Sequence, residues 1–240
     1  MKDSVYSGQS KIQSFDPQDS FNLLEDHLRR LTRVLKDSNV SQDRAHVLRW
    51  VHDILITLGL RDRSIDLCLI LVDNLLYLQN YQPESLETFC IGCVLFVIKL
   101  EGDFSPQLVE FINALDTIFH INPNSILQEE VVILQRLPVN FLSMATFTDA
   151  LQCMFSDIPT YRSQSGVFKA VRASVVSLLI NGHSCLEFDH LIIFPTVVAI
   201  YNTRDMSILT RLLASDLKGN SIFARVKPLR LNDFLNQRLI

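Results

Sequence analysis

The residues of this chain that could carry out redox or metal chemistry do not form a recognised site. The best candidate is the CxxC pair Cys90 and Cys93, which lies inside a long apolar segment. A structural zinc site needs further cysteine or histidine ligands, and the sequence places no second CxxC and no histidine pair nearby. We therefore interpret both cysteines as small core residues.

The histidines and acidic residues offer no catalytic arrangement either. The closest grouping is His183, Cys185 and His190, which we interpret as an ordinary polar connection. The sequence contains no glycine-rich phosphate loop, no HExxH and no GxSxG. We therefore expect no catalytic residue, no metal, no cofactor and no small-molecule ligand, and we predict a protein that works by binding and is not an enzyme.

One charged residue stands out for its position. The apolar segment 89–98 ends at Lys99, which is followed by Leu100 and an acidic turn. A lysine at such a place can pack its aliphatic stem against the core and keep its ammonium in water. The amine can equally be held out for a partner, and the residues alone leave both interpretations open.

Composition narrows the class of protein. The 240 residues are 48% hydrophobic and carry a formal charge of -4, so the chain can bury a sizeable core and lacks the lysine and arginine excess typical of nucleic-acid binding. The N-terminus is polar, and no apolar run reaches the roughly 18 to 20 residues of a membrane span. An odd number of scattered cysteines fits reduced thiols. We expect a soluble intracellular protein without a nucleic-acid or membrane partner.

Apolar residues recur every three or four positions along the chain, which predicts an all-α fold. Residues 1–18 are polar and are expected to form a disordered tail. One amphipathic helix and five further helices between 44 and 137 are predicted to follow, the third of the five with Pro83 in its first turn. Their segments are FNLLEDHLRRLTRVL, DRAHVLRWVHDILITLGL, SIDLCLILVDNLLYL, the segment from Pro83, SPQLVEFINALDTIF and NSILQEEVVILQRL.

The second half repeats this pattern loosely. Pro195 and Pro228 are expected to kink or split two of its helices. Its five candidate segments are TFTDALQCMF, GVFKAVRASVVSLLI, HLIIFPTVVAIY, MSILTRLLASDL and NSIFARVKPLRLNDFL. We predict two five-helix domains, with boundaries at 19–141 and 142–240, behind the tail.

From Arg44 onwards the sequence resembles a cyclin box. In that family the first helix carries an arginine and, six residues later, a tryptophan, which Arg44 and Trp50 match. The second helix ends in Leu-Asp-Arg-Phe-Leu, and the stretch VDNLL places Asp73 at the aspartate. The third opens with Leu-Gln and closes with a lysine, matched by Leu86-Glu87 and Lys99. This spacing needs no gap against D-type cyclins.

The resemblance continues beyond the third helix. The fifth helix of the family carries a glutamate matched by Glu130, with Glu129 as the alternative, and then the ending matched by Leu137 and Val139-Asn140-Phe141. The segment LTRLLASDLKGNSIFARVKPLRLNDFL is more weakly similar to the last helices of D-type and herpesviral cyclins. The resemblance implies two tandem five-helix cyclin-box domains with an extra N-terminal helix.

The resemblance also implies roles for individual residues. The lysine and glutamate of the family bind backbone carbonyls and amides of a mobile kinase helix called αC, which makes Lys99 and Glu130 the expected kinase-binding pair. The expected apolar floor beneath that helix is Leu100, Leu134, Val139 and Phe141. Arg44 and Asp73 are expected to form an internal ion pair that fixes helix packing.

A second family site, which docks Arg-x-Leu peptides, looks degraded here. Its Met-Arg-Ala-Ile-Leu run reads Asp43-Arg44-Ala45-His46-Val47, and its glutamine is Glu87. Trp50 is then expected to be a core residue instead of a docking anchor. The Leu-x-Cys-x-Glu motif near the start of many D-type cyclins is also absent, which favours a divergent or virally encoded cyclin.

These features predict a regulatory subunit that binds and activates a cyclin-dependent protein kinase and so controls cell-cycle progression. We expect it in the nucleus and cytoplasm, and in those of the host cell if the protein is viral. The alternative is a cyclin of a transcription-linked kinase that modulates RNA polymerase II transcription as an adaptor. A two-box protein that binds DNA or promoter factors is a further possibility, although the acidic charge of the chain disfavours it.

Overall fold

A computed structural model describes residues 17–36, 38–104, 106–117, 120–155 and 166–181, together with the single residues 186 and 191. Within these ranges every regular element is helical, which confirms the all-α prediction. The elements are α1 (Pro17–Val34), α2 (Ser38–Thr57), α3 (Asp62–Val72) with a π-helical continuation (Asp73–Leu78), α4 (Leu86–Glu101), α5 (Pro106–Thr117), α6 (Pro123–Arg136), a 3-10 turn (Phe141–Ser143), α7 (Phe147–Phe155) and α8 (Gly166–Asn181).

The two apolar helices α3 and α4 form the centre of the molecule. Every residue from Ser64 to Leu76 is buried, and α4 is buried from Thr88 to Leu95. Helices α2, α3 and α6 pack against α4. A helix that is apolar nearly all round can lose water contact only by being surrounded in this way, and that arrangement leaves only the two ends of α4 at the surface.

Helix α4 is delimited by local signals at both ends. The Ser85 side chain caps its start by accepting a hydrogen bond from the Thr88 N–H at 3.2 Å. Pro83 was predicted to lie in its first turn, but it precedes the helix because Ser85 supplies the cap. Gly102 ends the helix with φ of +62°, a conformation that glycine adopts without steric strain. Lys99 therefore lies in the final turn.

Gly92 lets α4 and α6 approach closely. A Cβ atom at this position would lie 3.3 Å from both Glu129 Cβ and Ile133 Cδ1. That separation is tighter than ordinary van der Waals contact, so a methyl group here would require its neighbours to shift by a few tenths of an ångström, and a larger side chain would require more. The glycine thereby sets the distance between the helices that carry Lys99 and Glu130.

Helix α1 packs on the π-helical continuation of α3 through a stripe of buried leucines. It begins at Pro17, so it includes the last two residues of the predicted tail, whereas residues 1–16 lie outside the described part of the chain. Helix α2 also begins earlier than predicted, at Ser38, and absorbs most of the segment expected to be a connection. Packing of Val40 on the core explains this difference.

Helices α7 and α8 belong to the predicted second domain but pack on the first, α7 on α3 and α8 on α2. Their buried faces share one core with the preceding helices. The three later candidate helices, with Pro195 and Pro228, lie outside the described residues. The tandem arrangement and its boundaries therefore stay a prediction.

Candidate partner-binding site

Lys99 and Glu130 come from different helices and contact each other directly. The Lys99 Nζ atom lies 2.6 Å from Glu130 Oε1 and 2.7 Å from Oε2. Glu129, the alternative partner, faces elsewhere and accepts a hydrogen bond from the Tyr81 hydroxyl at 3.0 Å. The structure thus brings Lys99 together with Glu130 and not with its neighbour.

This pair is accessible to a partner. The Lys99 side chain is 55% exposed, while that of Glu130 is 13% exposed. An ion pair that water reaches contributes about 0–1 kcal/mol, so a partner can replace it at little energetic cost. The ammonium has three donors and the carboxylate several acceptor positions. Together they can bind both carbonyls and amides of another chain.

Exposed apolar side chains adjoin the pair along α6. Leu127, Val131 and Leu134 follow one another at spacings of four and three residues, so they form a stripe on one face, and all three are exposed. Ile126 and Ile133 are buried on the opposite side. Leu134 was predicted, but Leu127 and Val131 were missed. Their spacing was visible in the sequence, but no role was predicted for either residue.

The other predicted floor residues divide between surface and core. Leu100 is exposed beside Lys99, and Val139 is 97% exposed in the turn after α6. Phe141, in contrast, is fully buried, so its prediction as a contact residue is not supported. Its N–H donates to the Pro138 carbonyl at 2.9 Å, and this tight turn directs the phenyl ring into the core. Phe141 is therefore part of the core that underlies the turn carrying Val139.

Arg44 and Asp73 lie together in the core. Arg44 Nε and Nη2 each donate to one Asp73 oxygen at 2.7 Å, and both residues are fully buried. Arg44 Nη1 donates to the Leu179 carbonyl, also at 2.7 Å. Burial raises the pKa of Asp73, and Arg44 opposes that rise. The pair therefore joins α2, the π-helical continuation of α3 and α8, and no pattern in the sequence indicates the contact with Leu179.

A second buried cluster was missed entirely. Asp66 on α3 accepts from Arg172 Nη2 at 3.1 Å and from both the N–H and the hydroxyl of Thr148 at 2.7 Å. Burial raises the pKa of Asp66 to about 6 despite these partners. The sequence contains two signals that could have predicted this cluster. They are a carboxylate within the apolar segment SIDLCLIL and a guanidinium within the apolar helix GVFKAVRASVV. The cluster ties α7 and α8 to α3.

The residues of the degraded peptide-docking patch lie mostly at the surface. Asp43, His46 and Glu87 are exposed, and Val47 is half-buried. Glu87 accepts a hydrogen bond from the Ser85 hydroxyl at 3.2 Å. It lies in the first turn of α4, where the helix dipole stabilises a negative charge. Trp50 is also half-buried: it packs on the core with part of its side chain and lines a shallow groove between α2 and α5 with the rest, so its role as a core residue stays a prediction.

Three of the described cysteines lie in environments that disfavour the reactive thiolate. Cys68, Cys90 and Cys93 are buried and free, and burial raises the pKa of each thiol, that of Cys90 to about 12. No group of three or more potential metal ligands occurs among the described residues, and the His183 grouping lies outside them. No single described helix has the length and hydropathy to cross a bilayer, though the pair Pro123–Arg136 and Phe141–Cys153, bent by 79°, passes that test together.

Comparison with known protein families gives a match. A family model described as the cyclin N-terminal domain covers residues 19–141, just over half of the chain. Searches of curated proteins and of solved structures gave no significant match. The matched region runs from α1 to the turn at Phe141 and contains both the Lys99–Glu130 and the Arg44–Asp73 pairs. The chain therefore belongs to the cyclin family.

Proposed function

We propose that this cyclin binds and activates a cyclin-dependent protein kinase through the surface formed by Lys99, Glu130 and the apolar stripe of α6. The observation that carries the proposal is the contact of 2.6 Å between Lys99 and Glu130 beside three exposed aliphatic side chains. Members of this family are regulatory subunits, and the charged pair lies within the matched region. The proposal assigns no chemistry to the cyclin itself.

The surface suits the mobile αC helix of a kinase. A helix end leaves backbone carbonyls and amides without intrahelical partners, and charged side chains bind such groups well. Lys99 would donate to carbonyls and Glu130 would accept from amides, while Leu127, Val131 and Leu134 pack against the apolar side of αC.

Activation then follows from selective binding. When αC is held inward, its glutamate pairs with the kinase lysine that orients ATP, and the active site is assembled. A regulatory subunit that binds this arrangement better than the inactive one shifts the kinase population toward it. The free-energy difference between the inactive and active kinase shifts by the difference between the free energies with which the cyclin binds the two conformations.

The test is to capture a panel of cyclin-dependent kinases on the purified chain and to measure the turnover of each captured kinase. We expect Lys99→Glu to weaken kinase binding at least tenfold, because it places two carboxylates side by side. Lys169→Glu, which reverses an exposed lysine on α8, is the matched control. The contact surface is wrongly assigned if folded Lys99→Glu protein binds as tightly as the wild type.

A charge swap separates binding from folding. The double variant Lys99→Glu, Glu130→Lys restores an ion pair within the cyclin, so the free energy of unfolding is expected to return close to that of the wild type. Kinase binding is expected to stay weak, because the donor and acceptor positions are exchanged. Full recovery of kinase binding would contradict the proposed direction of the hydrogen bonds.

We extend the proposal to a cell-cycle kinase and to the nucleus and cytoplasm, on the support of the gap-free spacing from Arg44 to Lys99 that resembles D-type cyclins. If a transcription-linked kinase alone were captured from the panel, the chain would be assigned to that kinase instead. An adaptor would bind a kinase without raising its turnover, so the activity measurement distinguishes it from an activator.

A further inference from the structure

The acidic turn 101–103 follows directly on Lys99 and Leu100 at the end of α4. The N–H of Asp103 donates to the Ile98 carbonyl at 3.0 Å, so this turn closes the helix. The last turn of a helix lacks partners for its final carbonyls and frays more readily than the interior. A binding site built on such a turn needs further contacts that keep its side chains in one arrangement.

Asp103 supplies one such contact by binding the start of α3. Its Oδ2 atom accepts from the Arg61 N–H at 2.7 Å and from the Ser64 hydroxyl at 2.8 Å. Arg61 is the N-cap residue of α3, and its own side chain caps no N–H of that helix. Burial acts to raise the pKa of Asp103, but these hydrogen bonds and the charge of Arg61 lower it below the ordinary aspartate value. An ionised carboxylate therefore joins the turn after α4 to the first turn of α3.

Arg61 binds the same turn with its side chain. Its Nη2 atom donates to the Glu101 carbonyl at 2.6 Å, and its Nε atom lies 3.2 Å from Asp103 Oδ1. The Glu101 carbonyl is one of the last four of α4, which have no N–H partner within a regular helix. Arg61 thus satisfies a backbone group of the very turn that carries Lys99.

A second arginine connects this turn to α7. The Arg63 Nε atom lies 3.3 Å from Glu101 Oε2, and its Nη1 atom forms an ion pair with Asp149 Oδ2. Asp149 also accepts from the Thr146 N–H at 2.8 Å, at the start of α7. The end of α4 is therefore held by the connection before α3 on one side and, through Arg63, by α7 on the other.

We propose that Arg61, Arg63 and Asp103 are positioning residues, which hold the last turn of α4 in the arrangement that a kinase binds. They act through Lys99 and Leu100 and need not touch the kinase themselves. Side chains that are held in their bound arrangement beforehand lose less conformational freedom on binding, so affinity increases. This inference rests on the proposed function and assigns a role to the acidic turn within it.

The same contacts contribute little to global stability. The side chains of Arg61 and Arg63 are 60% and 39% exposed, and ion pairs that water reaches are weakly stabilising. Their loss should therefore appear at the end of α4 more than in the unfolding of the whole chain.

The first experiment uses the chain without any kinase and measures amide hydrogen exchange by NMR. Asp103→Ala and Arg61→Gln should speed exchange of the amides of residues 100–103 by roughly fivefold or more, while the middle of α4 changes little. Asp103→Asn keeps an oxygen acceptor and should retain most of the protection. Glu25→Ala, which removes a carboxylate from the exposed Arg29, is the matched control and should leave the end of α4 unchanged.

The second experiment measures kinase binding by the same variants, together with their free energies of unfolding. We expect Asp103→Ala and Arg61→Gln to weaken binding about threefold to tenfold, and Asp103→Asn to weaken it less than about twofold. In a chain that already carries Lys99→Ala and Leu100→Ala, the further change Asp103→Ala should weaken binding less than about twofold. A positioning residue has no effect once the side chains that it positions are gone, whereas a general loss of stability weakens both chains by the same factor.

Unchanged amide exchange in Asp103→Ala would overturn the proposal, as would equal weakening with and without the Lys99 and Leu100 side chains. If Lys99→Glu weakens kinase binding and Asp103→Ala does not, the proposed function stands and the positioning role alone fails. If no kinase is captured, the proposed function fails and the positioning role fails with it.

Discussion

Lys99 and Arg44 each hold a carboxylate at hydrogen-bonding distance, but water reaches only one of the two pairs. The exposed pair is weakly stabilising and can be exchanged for contacts with a partner. The buried pair has no such freedom, because either charge left alone in the core would lose both its solvation and its counter-ion. The distances within the two ion pairs are nearly the same, so they do not distinguish the structural pair from the partner-binding pair. The difference in burial does.

For the buried pair we predict a large loss of stability when one partner is neutralised. Asp73→Asn leaves the Arg44 charge in the core with only the Leu179 carbonyl and an amide, so the free energy of unfolding should fall by about 3–5 kcal/mol. Urea titration followed by circular dichroism measures this change. Glu25→Gln, which removes a carboxylate from the exposed Arg29, is the matched control and should cost about 0–1 kcal/mol.

Asp66 predicts a dependence of stability on pH. Its folded pKa of about 6 lies above the ordinary aspartate pKa of 3.8, so between these values the folded chain binds a proton that the unfolded chain does not. The contribution of Asp66 to stability is therefore full below the unfolded pKa and is lost as pH rises to about 6. The loss is at most about 3 kcal/mol, from about 1.4 kcal/mol per pKa unit.

The measurement compares wild type and Asp66→Asn by urea unfolding at pH 4.5 and pH 7. His27 has the opposite effect in this range because its pKa is lowered, but it is present in both proteins and cancels in their difference. The stability of the wild type relative to Asp66→Asn should fall as pH rises. A difference that stays constant would show that Asp66 is ionised throughout, with Arg172 dominating over burial.

At the scale of elements, the site depends on how closely α4 and α6 pack. Gly92 permits that approach, so Gly92→Leu should lower the free energy of unfolding by about 1–3 kcal/mol, in the range of overpacked cores. It should also weaken kinase binding, because displacing α6 moves Glu130 away from Lys99. Gly166→Leu is the control, since a Cβ there meets no atom within 4 Å. Unchanged stability in Gly92→Leu would show that α6 is free to shift.

The period of the apolar residues was enough to predict the described helices, but not the direction of side chains at their ends. Val139 and Phe141 were both predicted to face the partner, and the tight turn after Pro138 sends them to opposite sides. No role was predicted for Leu127 and Val131, because one sequence cannot tell which of two apolar faces is covered. Contacts between distant segments, such as Arg44 with Leu179, leave no local pattern to detect.

At the scale of the whole molecule, the structural unit extends beyond the matched region. The family match ends at 141, yet α7 and α8 complete the core around α2 and α3. Arg44 and Asp66 each depend on a group from these later helices, the Leu179 carbonyl and the Arg172 guanidinium. The matched cyclin region of this chain is therefore completed by part of the following segment.

This dependence predicts the behaviour of a fragment that contains residues 1–141 only. Without α7 and α8 the fragment exposes the apolar faces of α2 and α3 and leaves the charges of Arg44 and Asp66 incompletely paired. We expect a lower urea midpoint than for the full chain and binding of a dye that recognises exposed apolar surface. A fragment of residues 1–181 retains both helices and is the matched control. A 1–141 fragment that unfolds cooperatively at the midpoint of the longer one would show that α7 and α8 merely rest on a self-sufficient domain.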